Sequence, residues 1–347
     1  MQNCYKIYFL VLIVLLALSP TRAQQSNKAL DYMAKVTDGQ RQITSEMLGY
    51  VSAVAHNKSA KKVSKQRSEA MAAISSARAK ALHMSDFEGD SALRVASYNY
   101  FNICYIVMKE DYGKIMDLEE ISEQSYDNME AYIKAQEVAN EKRNEAFDKA
   151  DREIKAFAVK HNINLTEDKS EEGKQSEIVS NVTKYYNKVY LTFFKCNSDE
   201  NYLIKAVDKK DINGVEQNKN ALIKHTDEAL PKLTEIGNFE NDASLINSCK
   251  KLLDFYKIEA EKKTPTLTDF IVKSDNFQKL KTAMDKKGSG GSQSEVDEFN
   301  KSVKDMNGAV VVYNKTNNEL NENRSKLIND WNNAYMAFMS KHIPHHK

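Results

Sequence analysis

Apolar residues along this chain recur at spacings of three and four, the period of a helix that buries one stripe and leaves the rest to water. The clearest run is Tyr126, Met129 and Ile133, resumed by Phe147, Ala150, Ile154 and Phe157. Strand-like alternation over several residues does not occur. The pattern predicts long helices over roughly 27–56, 60–84, 89–111, 115–161, 174–208, 214–236, 241–263 and 267–341, the last interrupted. Helix breakers are few, with 4 prolines and 11 glycines in 347 residues. An all-α fold follows.

The two halves match each other. Asp86-Phe87-Glu88-Gly89-Asp90-Ser91-Ala92-Leu93 aligns with Asn238-Phe239-Glu240-Asn241-Asp242-Ala243-Ser244-Leu245 at an offset of 152. The same offset lays Gly113 on Pro265, two different breakers at one position. Further on the offset becomes 181, where Tyr132, Lys134, Asn140, Glu141, Arg143, Ala156, Phe157, Lys160 and His161 meet Tyr313, Lys315, Asn321, Glu322, Arg324, Ala337, Phe338, Lys341 and His342. The difference implies 29 extra residues in the second copy, around Gly288-Ser289-Gly290-Gly291-Ser292, a flexible excursion by composition. The expected architecture is a tandem duplication of an antiparallel four-helix unit, giving two elongated abutting helical bundles of coiled-coil character. Repeat 1 spans 24–165 and repeat 2 spans 177–347, with a flexible insertion near 286–294. The apolar-free stretch 166–176 (TEDKSEEGKQS) is the expected linker.

The N-terminus adds a compartment. Lys6 precedes the apolar run Ile7–Leu18, which ends in Ser19-Pro20-Thr21-Arg22-Ala23. A short apolar run behind a positive charge, closed by a small residue, is the form of a signal peptide, here 1–23 with cleavage after Ala23. Twelve residues make about 18 Å of helix, short of the ~30 Å hydrocarbon core. The expectation is a protein exported to the periplasm or cell surface, with no transmembrane segment after cleavage. Loss of Lys6 and Arg22 takes the basic count from 50 to 48 against 49 acids. Such a balance offers no basic face, so nucleic acid is not an expected partner. Cys104, Cys196 and Cys249 remain, too few for a disulfide framework, although a Cys196–Cys249 bridge is an open alternative to buried thiols.

Candidate chemistry is sparse. No Glu-x-x-His pair, phosphate loop, nucleophile elbow or Cys-x-x-Cys occurs. His225-Thr226-Asp227-Glu228 stands without a counterpart in the first copy, and His342, His345 and His346 crowd a terminus expected to fray. Neither cluster suggests a physiological metal, and no cofactor or catalytic residue is expected. Two aromatic concentrations stand out: Tyr98, Tyr100, Phe101, Tyr105 and Tyr112, then Tyr185, Tyr186, Tyr190, Phe193 and Phe194. At helical spacing they are core residues, or else the walls of a pocket between helices.

One irregularity in the stripe points to buried charge. Gln136, Asn140 and Arg143 occupy seam positions between Ile133 and Phe147, and Arg324 sits between Leu320 and Ile328. A buried guanidinium needs a carboxylate. Antiparallel counting through a turn near Gly113, or a later one near Leu118, places Arg143 opposite roughly residues 83–95, which hold Glu88 and Asp90, and the matching acids Glu240 and Asp242 would serve Arg324. These are the expected structural ion pairs; the alternative is that the helix rotates and both arginines reach water.

A leader followed by long Lys- and Asn-rich helices with an internal duplication resembles uncharacterised helical surface or envelope proteins of Gram-negative bacteria. That resemblance implies no activity and transfers no site residue. The expected function is therefore non-enzymatic, through contacts with an unknown protein or envelope component. The alternative is a small-ligand binder with an aromatic pocket between helices.

Overall fold

The computed structural model describes residues 20–111, 125–165 and 170–346. Within them the chain is all-helical: α1 (Pro20–Ala55), α2 (Ala60–His83), α3 (Ala92–Ile106), a first π turn (Val107–Asp111), α4 (Tyr126–Lys160), α5 (Glu171–Asp208), α6 (Ile212–Ile236), α7 (Ser244–Ile258), a second π turn (Glu259–Lys263), α8 (Thr264–Lys287), a 3-10 turn (Gly288–Gly290) and α9 (Gln293–His342). No described helix is long and apolar enough to cross a membrane. The leader run Ile7–Leu18, Gly113 and residues 166–169 of the expected linker lie outside the described residues.

Local chemistry sets the helix starts. The Ser59 and Ser125 hydroxyls and the Asp211 carboxylate accept from the amides of Lys62, Asn128 and Gly214, supplying acceptors that the first turns lack. Ser170 does the same for Gly173, so the expected linker narrows: Glu171–Ser176 already belongs to α5. Its acids Glu171 and Glu172 fall in the first turn, where the helix dipole favours them.

The chain divides into two compact units, residues 1–184 with 336–347, and residues 185–335. The division falls inside α5 and α9 rather than at the expected linker. It also assigns residues 336–347 to the first unit.

In the first unit the α2 face toward its neighbours is built of alanine (Ala70, Ala73, Ala77, Ala81), which admits close approach. At Gly39 of α1 a Cβ would lie 2.8 Å from the Ala77 Cβ and 3.0 Å from Phe101. Ile43, Ile74, Tyr100, Phe101, Cys104 and Ala150 fill one cluster. Met33, Val36, Phe87, Leu93, Ile154 and Phe157 fill another. Two of the C-terminal histidines make contacts within this unit. The His346 amide donates to Ser52, its ring contacts Ser45 and Gln175, and His345 stacks on His56 with centroids 3.6 Å apart.

The second unit is filled by Val189, Phe193, Cys196, Leu203, Leu222, Leu233, Leu245, Cys249, Leu252, Leu253 and Tyr256. Its local geometry parallels the first unit 152 residues earlier. α3 and α7 both have 15 residues, each runs into a five-residue π turn, and each is preceded by a tight turn, Phe87–Asp90 or Phe239–Asp242. In those turns Glu88 and Glu240 take φ of 50° and 52°, the left-handed region.

The Gly/Ser stretch forms a tight turn. Gly288 takes φ of 56°, which a side chain would oppose, and the chain reverses from α8 to α9. The Ser292 amide donates to the Glu295 carboxylate at 3.0 Å while the Glu295 amide donates to the Ser292 hydroxyl at 3.4 Å, a reciprocal capping box. Phe270 stacks on Tyr313 and Phe277 on Phe299 along the resulting hairpin.

Candidate functional site

The α9 stripe carries Thr316, Leu320 and Trp331 into the core, with Arg324 in the same row. Its guanidinium is 14% exposed. Nε donates to Glu200 of α5, Nη2 to Glu259 of the second π turn at 2.5 Å, and Nη1 to Asn321 at 2.6 Å. Both carboxylates are buried, Glu200 at 1% and Glu259 at 2% exposure. The Phe255 ring lies 5.9 Å from the guanidinium carbon, and the Tyr256 hydroxyl donates to Asn197 at 2.8 Å.

Two anions around one cation leave a net negative charge in a dry site, and low dielectric opposes that strongly. Burial, then the neighbouring Glu200 charge, pushes Glu259 up to about 8, although Arg324 pulls the other way. Burial likewise raises Glu200 against the pull of Arg324. For Arg324 burial works against the charge, but the two carboxylates outweigh it and its pKa rises. Burial and both carboxylates push Tyr256 well up. The Glu259 Oε2 atom meets no N–H or O–H donor. A proton on Glu259 resolves this, because it gives Glu259 a hydrogen bond to make to Glu200 and makes the cluster neutral.

The structure does not pair Arg324 with Glu240 or Asp242. Asp242 accepts from the Ser244 amide at 2.8 Å, capping α7, and Glu240 is exposed in the left-handed turn position. In the first unit Asp90 accepts from Ala92 at 3.0 Å and pairs with Lys160 at 2.6 Å. Glu88 is exposed in the matching turn, and the Arg143 charge is felt by Tyr100 and Cys104. Asp90 and Asp242 thus accept from the first amides of α3 and α7, and Asp90 also pairs with Lys160.

Counting failed because Pro265 does not reverse the chain. It lies in the first turn of α8, where a missing N–H forfeits no intrahelical bond. The chain therefore stays helical from Ser244 through the π turn to Lys287 and reverses only at Gly288. Arg324 then faces the end of α7, as the neighbouring Lys263–Glu319 pair at 3.2 Å also shows. A signal for both partners was present: Glu200 follows Val189, Phe193 and Cys196 at spacings of four, three and four, and Glu259 continues Cys249, Leu252 and Tyr256. Both are charges in an apolar seam, as Arg324 is.

The remaining candidates have local roles. Phe193 and Phe194 are buried, Tyr186 packs on Tyr190 and Tyr335, and Tyr185 donates to the Gly237 carbonyl at 2.9 Å. Tyr100 and Phe101 are core residues, Tyr98 and Tyr105 pack against them, and Arg78 lies 4.8 Å over the Tyr105 ring. Tyr112 lies outside the described residues. A cavity of about 390 Å³ in the first unit, bounded by Gln40, Thr44, Phe147, Asp151 and Ile154 among others, has Phe147 as its aromatic wall. His225 contacts Asp199 at 2.5 Å rather than working with Glu228, which meets Lys195 at 3.6 Å. Among the described residues no group of three or more His, Cys, Asp or Glu is placed to hold a metal. Cys104, Cys196 and Cys249 are free and buried, and burial pushes the first two up to about 11 and about 12 and Cys249 higher still. None is an available thiolate nucleophile.

Comparison with protein-family models, with curated proteins and with solved structures yields no match for this chain.

Proposed function

We propose that this chain is a non-enzymatic, exported helical protein that acts through contact with another protein of the periplasm or cell surface, built by tandem duplication of a four-helix unit. The observation that carries this reading is where the apolar side chains go. The aromatics that would wall a ligand pocket pack against one another inside the units, while Val311 and Val312 of α9 stand 68% and 52% exposed. Two adjacent valines at such exposure, with Asn307, Gly308, Asn314 and Lys315 one turn away on the helix, form an apolar spot in a polar, nearly uncharged surround. A surround without a basic cluster suits a protein surface better than an anionic lipid or nucleic acid. The parallel elements at an offset of 152 support the duplication, and residues 1–23 support export.

The test is in-cell crosslinking followed by capture of the full chain, compared with a Val311→Lys, Val312→Lys variant. Both positions are exposed, so the variant keeps its fold, which circular dichroism verifies. A protein captured by the native chain and lost from the variant supports the reading. Identical capture by both, or capture of no protein, refutes it.

A further inference from the structure

We propose that the Glu200–Arg324–Glu259 cluster is a proton-binding site that couples the packing of the second π turn to pH, closed while Glu259 holds a proton and loosened when the proton passes to solvent. The charge count carries this. With the proton in place the cluster is Glu200 anion, Arg324 cation and neutral Glu259, with no net charge. Without it a second anion sits at 2% exposure and shares one guanidinium. The groups facing Glu259 are Glu200 from α5, Arg324 from α9 and Tyr256 from α7, with Asn197 bound to Tyr256 and Asn321 to Arg324. Among these groups only Arg324 is a cation.

The fold does not demand this arrangement. Residues 152 positions earlier than Glu200 and Glu259 are Leu48 and Val107, both buried, at 5% and 4% exposure. Val107 opens a π turn of the same length as the one Glu259 opens. The same local frame therefore forms with apolar side chains, and the carboxylate pair is an addition to it. Its position also suits a switch. A π turn holds its extra residue with poorer backbone geometry than the helix around it, and such turns concentrate at functional sites. The Glu259 carbonyl is bound by the Thr264 hydroxyl at 3.0 Å, so movement of Glu259 is passed directly to the start of α8. Burial and the Glu200 charge set the release near pH 8.

The sign follows from linkage. The folded state holds the Glu259 proton more tightly than an exposed carboxyl does, so the stabilisation is full below about pH 4.3 and declines as pH rises through about 8. Amide hydrogen exchange on the full chain, corrected for intrinsic rates, reads this over residues 255–264 and 320–328. Protection should fall about tenfold per pH unit from pH 6 to 8 and level off above it. Glu259→Gln, which mimics the neutral acid and still donates to Glu200, should flatten the profile. Infrared spectroscopy of the native chain at pH 7 should show the carbonyl stretch of a protonated buried carboxyl, absent in Glu259→Gln. The proposal is overturned if that stretch is missing from the native protein, or if the variant keeps the native pH slope.

Discussion

Consider replacing Arg324 with Met. The side chain keeps most of its apolar length, so packing beside Phe255 changes little, while Glu200 and Glu259 lose the guanidinium between them. Removing one member of a buried charged cluster costs about 3–5 kcal/mol at neutral pH. For a unit of 151 residues (185–335) each kcal/mol moves the midpoint by roughly 2–4 °C, so Tm should fall by about 6–20 °C. The loss should depend on pH. Both acids already sit above their ordinary range with the arginine present, because burial disfavours their charge. Without it they rise further and take up protons. Near pH 5 the variant therefore carries two neutral carboxyls and loses chiefly hydrogen bonds, each contributing about 1 kcal/mol. At pH 8 the unfolded chain ionises both acids while the folded unit must keep them neutral, so the variant loses more stability there. Differential scanning calorimetry at pH 5 and pH 8 measures both costs. A triple variant, Arg324→Met with Glu200→Leu and Glu259→Val, reproduces the apolar residues found at positions 48 and 107. It should recover the loss, since hydrophobic replacement of a complete buried cluster is commonly neutral or stabilising by about 1–4 kcal/mol. A cost below about 1 kcal/mol at both pH values would refute the reasoning, as would a triple variant no better than the single one.

Other consequences are open to direct measurement. Gly39→Val should cost about 1–3 kcal/mol of first-unit stability by urea denaturation, because its Cβ would lie 2.8 Å from Ala77 and 3.0 Å from Phe101. Leu253→Ala, at 0% exposure in the second unit, should cost about 2–5 kcal/mol in the same assay. The Glu295 carboxyl is held down to about 2, first by Lys287 and then by the Ser292 amide. Its contribution to the hairpin is therefore present above the ordinary carboxylate range and lost as pH falls through about 2, which amide exchange across residues 284–296 follows. Cys196 and Cys249 should resist an alkylating reagent in the native chain and react fully in denaturant, with mass spectrometry counting the adducts. Mass spectrometry of the protein isolated from its native cells should find a chain beginning at Gln24.

The helical class was legible in the sequence because a stripe with a period of 3.6 is a local property, written in spacings such as Phe147, Ala150, Ile154 and Phe157. Equally local was the oddity of Arg324, a charge in an apolar row that requires a counter-charge wherever the row is buried. The partners of Arg324 were a different matter. They depended on where the chain turns back, and proline is ambiguous on that point, ending a helix from its interior but tolerated in its first turn. Only the packed structure shows that Pro265 occupies the first turn of α8 and that Gly288 makes the reversal, which brings the guanidinium to Glu259 instead of Glu240. Glu200 reaches the same point from α5, 124 residues away in sequence. Long-range contacts of this kind are selected by the packing of whole helices, and no spacing within one helix encodes them.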